Sequence, residues 1–433
     1  MHSSRLPQSD NPNTNFKGPR GSLQHLCGQC GTTGSKLSLC TGCSVVKYCC
    51  REHQVQHRPQ HKSTCNKIKK CRTKLAREDG LVRNATPDFM TPANAFETNV
   101  GHFYGLLNTR DYMRARFDLA DTIRKLGTLN GVREALDHLQ DMLRLCRGDN
   151  MGVRDLIPAM MLQLDQDQEC YDFVKWYETE GQRSDYDWGD MDLPFLNVKN
   201  ANVLEGVEFI DRKYGGVHHV SAVMLLKLKL LVDIQNIKLS RRVLVDKMPP
   251  ELWRHVELAV IRSPLSERFR NQTSRRLVAI EETLRRHVMQ LARTLDNTNE
   301  HFIYGVLYAD KYLSTRPGMY SPGSIEEMQL GLQYSFAAWW QTEGVLELLH
   351  SARTIAGKDS ADEIDGMMGT STFQSNDGSS RAKEELLEDV SINRLWGYLD
   401  WAVEDAGSLN AERPSDAHMK RLRSLIYSED EDE

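Results

Sequence analysis

An all-α body behind a small, metal-held N-terminal finger is the fold class this 433-residue chain predicts, and three observations predict it. Seven of the ten cysteines fall between Cys27 and Cys65. Helix-period apolar patterning runs from about Tyr112 onward, and strand signals are nearly absent outside the cysteine-rich segment. The composition, 40% hydrophobic and 27% charged, is that of a globular protein, and the length suggests roughly two or three domains. A formal net charge of -5 neither requires nor forbids a basic face, so it decides little about partners.

The finger is the most specific element. Its pairs run Cys27-x2-Cys30, Cys40-x2-Cys43, Cys49-x3-His53 and His61-x3-Cys65. A C-x2-C pair forms a knuckle that lets both sulfurs reach one ion at about 2.3 Å. An i, i+4 pair places two ligands on one face of a helical turn. Eight donors suit two tetrahedral zinc ions, and the spacing allows the half-sites to pair either in sequence or interleaved. Cys49 is preferred to the adjacent Cys50 because it stands four residues before His53, while His25 and His57 read as solvated polar residues. Four thiolate-rich donors per ion leave no open coordination position, so the zinc is expected to be structural. A polar segment this short could not stay ordered by apolar burial, so its metal-binding energy becomes folding energy.

This pattern resembles the MYND zinc finger, which runs C-x2-C, C-x2-C, x4-Y-C, a ligand four residues on, then H-x3-C. The resemblance covers residues 27–65. It implies interleaved pairing, with Cys27, Cys30, Cys49 and His53 on one ion and Cys40, Cys43, His61 and Cys65 on the other. It also implies protein partners, often short proline-containing segments. Two positions depart from the family: His53 stands where cysteine is usual, and Arg58 where tryptophan is frequent on a surface many such fingers use for peptides.

Beyond the finger, residues 66–100 read as a basic helix and linker. The run KSTCNKIKKCRTKLAR (62–77) is expected to be the solvated face of a helix, with nuclear import or nucleic-acid binding as the rival reading. Residues 101–355 read as a helical repeat domain. An offset of 35 aligns Leu126 with Met161, Ala135 with Cys170, Leu139 with Val174 and Met142 with Tyr177. The first copy holds two amphipathic helices and resembles degenerate tetratricopeptide-type hairpins, which bury their faces only by stacking. Further helices are expected in Val203–Tyr214, Val217–Lys238 and Arg275–Leu295. Residues 356–382 read as a flexible loop, 383–427 as C-terminal helices and 428–433 as an acidic tail; residues 1–26 read as a flexible tail. Trp339, Trp340, Trp396 and Trp401 are expected to serve packing. The whole arrangement resembles fungal-type MYND proteins without a SET domain.

No catalytic motif stands out: there is no G-x-S-x-G, no phosphate-cradling G-x-x-x-x-G-K-[ST], no G-x-G-x-x-G and no H-E-x-x-H. The SET/MYND lysine methyltransferases carry an Asn-His motif after the finger, and that dipeptide is absent from this chain. The start lacks a secretory apolar stretch, and Lys227, Lys229 and Asp233 interrupt the most apolar segment, Ser221–Ile234, which argues against a membrane span. The expectation is a non-enzymatic, intracellular adaptor, cytoplasmic or nuclear, whose finger and helical body each bind protein. Protein-lysine methylation and nucleic-acid binding through residues 62–77 are the alternatives.

Overall fold

The computed structural model describes residues 15–34, 36–212, 215–244, 248–368, 380–399 and 402. The chain divides into two compact units, residues 18–203 and residues 204 onward together with the segment up to Lys17.

The first unit begins with the finger. Two-residue strands β1 (Ser38–Leu39) and β2 (Lys47–Tyr48) pair antiparallel, with Ser38 opposite Tyr48. The chain then enters α1 (Arg51–Arg83), a single 33-residue helix. The sequence places a boundary at Cys65, but α1 runs straight through it, so the finger's last donors and the basic segment share one helix. Pro59 lies inside this helix and, having no N–H, leaves the carbonyl four residues earlier without its helical donor.

After α2 (Ala95–Thr98) come α3 (Arg110–Arg124) and α4 (Leu129–Leu145), then α5 (Ile157–Gln163) and α6 (Asp167–Glu178). Consecutive packing of α1 on α3, α3 on α4, α4 on α5 and α5 on α6 gives the stacked hairpins that the 35-residue offset predicts. The aligned positions Ala135, Cys170, Leu139 and Val174 are all fully buried. The Thr128 hydroxyl caps α4 by accepting the Gly131 N–H at 3.1 Å. A Cβ on Gly131 would stand 2.7 Å from the Ile123 carbonyl oxygen and 3.3 Å from the Val45 side chain, so glycine there permits the close approach of α3, α4 and the finger.

The second unit is built around α7 (Val217–Leu244). Every residue from Val217 to Ile237 is buried, as expected of a helix apolar on all sides. Around it pack α8 (Pro250–Val260), α9 (Ser274–Thr298), α11 (Ile325–Gln341) and α12 (Val345–Met368). The short α10 (Phe302–Leu307) joins α11, and α13 (Ser380–Arg394) packs on α12. The charges that interrupt the apolar run of α7 are accommodated by specific contacts. Asp233 accepts the backbone N–H groups of Arg262 and Ser263, each at 2.8 Å, and Lys227 Nζ lies 3.4 Å from His287 Nδ1. Among the described residues no helix is long and apolar enough to cross a membrane.

Three expectations change. The segment Val203–Arg212 forms turns, not a helix, although Val203, Val207 and Ile210 are fully buried and produce its apolar spacing. Residues 356–368, read from their small and polar composition as loop, complete α12; Ala356 and Ile364 are buried and supply the missing apolar face. The end of the supposed N-terminal tail packs: the ring of Phe16 meets Phe336 edge-on at 5.3 Å and Trp340 at 5.9 Å. Trp339 is fully buried, as its packing role requires, whereas Trp401 and most of residues 400–433 lie outside the described residues, as do 1–14 and 369–379.

Candidate metal centre

Both cysteine knuckles use the same backbone device. The N–H of Gly31 returns to the Cys27 carbonyl at 2.9 Å, and that of Ser44 to the Cys40 carbonyl at 2.8 Å. Each of these residues, directly after the knuckle's second cysteine, takes a left-handed φ: 69° at Gly31 and 59° at Ser44. The turn points the two sulfurs of each knuckle the same way. Bonds from the Gly28 N–H to the Lys47 carbonyl and from the Cys40 N–H to the Val46 carbonyl, both 2.8 Å, tie the knuckles to β2 and its approach.

The remaining donors come from α1 and the residues before it. His53, His61 and Cys65 lie on the helix, and Cys49 sits just ahead of its N-cap, Cys50. The folded chain interleaves the half-sites: Cys27, Cys30, Cys49 and His53 form one cluster, and Cys40, Cys43, His61 and Cys65 the other, with the donor atoms of each within 4.8 Å of one another. All eight residues singled out by spacing are brought together, and Cys50 is in neither cluster.

The separations suit tetrahedral zinc. Bonds of about 2.3 Å to sulfur and 2.0 Å to nitrogen imply S···S edges near 3.8 Å and S···N edges near 3.5 Å. Cys30 and Cys49 are 3.8 Å apart through sulfur, as are Cys40 and Cys65. His53 Nδ1 lies 3.7 Å from Cys27 Sγ, and His61 Nε2 lies 3.4 Å from Cys43 Sγ; the one pair closer than a tetrahedral edge is Cys49 Sγ and His53 Nδ1, at 2.9 Å, a hydrogen-bond distance that metal binding would open. Two Cys3His sets of this size fit two structural zinc ions.

Thiol electrostatics point the same way. Burial raises the Cys27 thiol, but backbone N–H groups from Cys30, Cys49 and Gln29 outweigh it and hold the group down to about 6. Cys49 is pushed up to about 12 by desolvation and by sharing protons with Cys27 and Cys30. In the other cluster burial, the Cys40 thiol and the charge on Cys43 raise Cys65 to about 12. Three thiols this close cannot all ionise unaided, and a bound dication is what would let them.

Around the clusters, the sequence understated two histidines and one glycine. His57 is half-buried: its Nδ1 lies 2.9 Å from the Tyr48 hydroxyl, and its ring stacks on His61 at 5.5 Å. His25 Nδ1 lies 3.2 Å from Lys47 Nζ, and burial together with that cation lowers its pKa. A Cβ on Gly42 would stand 2.7 Å from Cys65 Sγ, so the knuckle can close over the buried cluster only with glycine there. The finger also docks on the helices of its own unit. Arg72 Nε donates to the Cys43 carbonyl at 3.2 Å while its guanidinium pairs with Glu134 on α4 at 2.5 Å, and Val45 and Val46 are buried.

The family model described as MYND finger matches residues 27–65, the span of both clusters. No curated protein and no solved structure matches the chain.

Proposed function

We propose that this chain is a zinc-dependent protein-interaction adaptor, non-enzymatic, with a MYND finger that captures peptide segments and a helical body that offers a second binding surface. Residues 27–65 are a MYND finger, a zinc-binding protein-interaction domain. In this reading Cys27, Cys30, Cys49 and His53 coordinate one ion, Cys40, Cys43, His61 and Cys65 the other, and both ions are structural.

The observation that carries the reading is the pairing of two closed donor sets with an exposed binding edge. Four donors per ion leave no position for a substrate or an activated water. Beside them both residues of β1 are exposed, and β1 has only β2 as a partner in a two-stranded sheet, so its outer edge can receive an extended peptide. Leu39 on β1 and Val55 on α1 are exposed apolar residues of the same small domain, 45% and 60% accessible. The methyltransferase alternative needs a strand-rich core, and among the described residues the only strands are β1 and β2.

The test is selection of a random peptide display library on the zinc-loaded chain, repeated on the double variant Cys49→Ser, His53→Ala. Enrichment of a shared motif that the double variant abolishes supports the reading. Enrichment indifferent to the double variant, or saturable binding of S-adenosylmethionine, overturns it.

A further inference from the structure

Between His53 and Arg77 the chain carries eight lysines and arginines and no aspartate or glutamate. All of this segment is helical in α1, so the distribution of the charges is set by the 100° turn per residue. The face holding His61, Ile68, Arg72 and Val82 turns inward: His61, Ile68 and Val82 are buried, and Arg72 is spent on Cys43 and Glu134. On the solvent side, beginning beside this inward face, Arg58, Lys62, Lys69, Lys70 and Arg77 fall within about 120° of arc and make one stripe. All five are exposed.

Four of those cations make no ion pair within 4.0 Å among the described residues. Elsewhere on α1, Lys74 is held by Asp118 at 2.9 Å and Arg83 by Asp79 at 2.7 Å, while Arg77, in the stripe, is held by Glu78 at 2.5 Å. No such pair exists for Arg58, Lys62, Lys69 or Lys70. The lower part of the stripe lines an open trough with Asn66 and Thr73, whose side chains add hydrogen-bonding capacity without opposing charge. The stripe starts inside the finger, at Arg58, and continues past its end. From Arg58 to Arg77 it spans about 28 Å at the helical rise, the length of about eight extended residues.

We infer that the outward face of α1 from Arg58 to Arg77 is a second half of the peptide site, which takes an acidic extended segment of about eight residues adjoining the segment held by the finger. The inference rests on the finger's being a peptide reader and adds the charge of what it reads. The stripe is continuous with the finger, so a chain leaving the finger along α1 meets cations roughly one and two turns apart, and carboxylates at alternate or every third position of an extended peptide would match them. An acidic peptide is favoured over nucleic acid because no aromatic side chain lies on this face to stack a base.

The test uses the full chain and the triple variant Lys62→Gln, Lys69→Gln, Lys70→Gln, whose exposed side chains leave folding and zinc content intact. Peptides selected on the parent chain should carry aspartate and glutamate on one side of a common core. Those selected on the triple variant should keep the core and lose the acids, and a parent-selected peptide should bind the variant roughly tenfold more weakly at low salt. Acid-free peptides with equal affinity for both chains overturn the inference while leaving the finger reading intact. Fluorescein-labelled octaglutamate, followed by anisotropy, reads the stripe without the finger: binding lost in the triple variant supports the inference even if peptide selection fails, and absence of binding overturns it. A single-stranded oligonucleotide that binds more tightly than octaglutamate and is lost in the same variant assigns the face to nucleic acid and also overturns it.

Discussion

The two clusters of the finger have the same donors, three cysteines and one histidine, yet they sit in opposite surroundings. In the first only Cys27 is buried, and Cys30 and Cys49 are open to solvent. In the second all four donors are buried. The difference comes from what each cluster is built against. The buried cluster lies under Gly42, and Arg72 and Val45 beside it reach α4, so a metal bound there would help hold the finger to the helical stack. The exposed cluster closes only the finger's outer end. Equal coordination chemistry should therefore have unequal consequences for the fold.

The largest expected effect follows from breaking the buried cluster. Cys65→Ser removes a donor from a site where an unpaired polar group cannot reach water, and the metal's contribution to folding goes with it. The expected outcome is one zinc per chain by elemental analysis, with a loss of about 3–5 kcal/mol in the stability of the first unit by denaturant unfolding. Removal of the exposed cluster by Cys49→Ser with His53→Ala should likewise leave one zinc but cost the helical stack roughly 1 kcal/mol or less, because neither of the two substituted side chains is buried. A metal chelator should also draw zinc from the parent chain in two phases, with the fast phase absent from the double variant. Equal stability losses in the two variants would break the contrast.

The finger was the most legible part of the sequence because ligand spacing is a covalent constraint: C-x2-C and x3 pairs leave few geometries. Spacing alone did not choose between sequential and interleaved pairing. The family pattern implied the interleaved one, and the folded chain shows why it works, since α1 sends His53 to one knuckle and His61 with Cys65 to the other. The stacked hairpins of α3 to α6 were legible through periodicity. What remained illegible depended on neighbours distant in sequence. The role of Arg72 in clamping the finger needs Glu134, 62 positions away, and His57 looks like a surface residue until Tyr48 is placed beside it. At Val203–Arg212, three buried apolar side chains at helical spacing belong to turns, because burial constrains which side chains point inward and not the backbone path that delivers them.

A smaller effect sharpens the comparison by leaving zinc out of it. In the second unit burial and the nearby Lys227 and Arg286 cations hold His287 down to about 4, against 6.5 in an unfolded chain, with Glu208 opposing. Between those two values the unfolded state binds a proton that the folded state refuses. The part of the second unit's stability that is linked to His287 is then fully present above about pH 6.5 and is lost as the pH falls toward 4. His287→Leu should flatten this slope in equilibrium unfolding monitored from pH 7 to pH 4.5, without changing zinc content. A slope unchanged by the substitution would mean that acid weakens the protein through its zinc donors alone, and the two sources of acid sensitivity could not be separated.

The smallest expected effect lies in the knuckles themselves. Gly31 and Ser44 make the same left-handed turn, with φ of 69° and 59°, but only the exposed cluster uses glycine for it. A side chain in that conformation costs about 1 kcal/mol, and glycine's extra freedom in the unfolded chain offsets part of any relief. Ser44→Gly should therefore tighten the buried cluster by a few tenths of a kcal/mol, and Gly31→Ser should loosen the exposed one by a similar amount, both measured by competition with a chromophoric zinc chelator. The Ser44 side chain is exposed, so its removal takes no buried contact with it. If Ser44→Gly instead weakened zinc binding, the serine would be holding the turn in some other way. The parallel between the knuckles would then extend only to their backbone bonds, and burial would not be the main difference between the two sites.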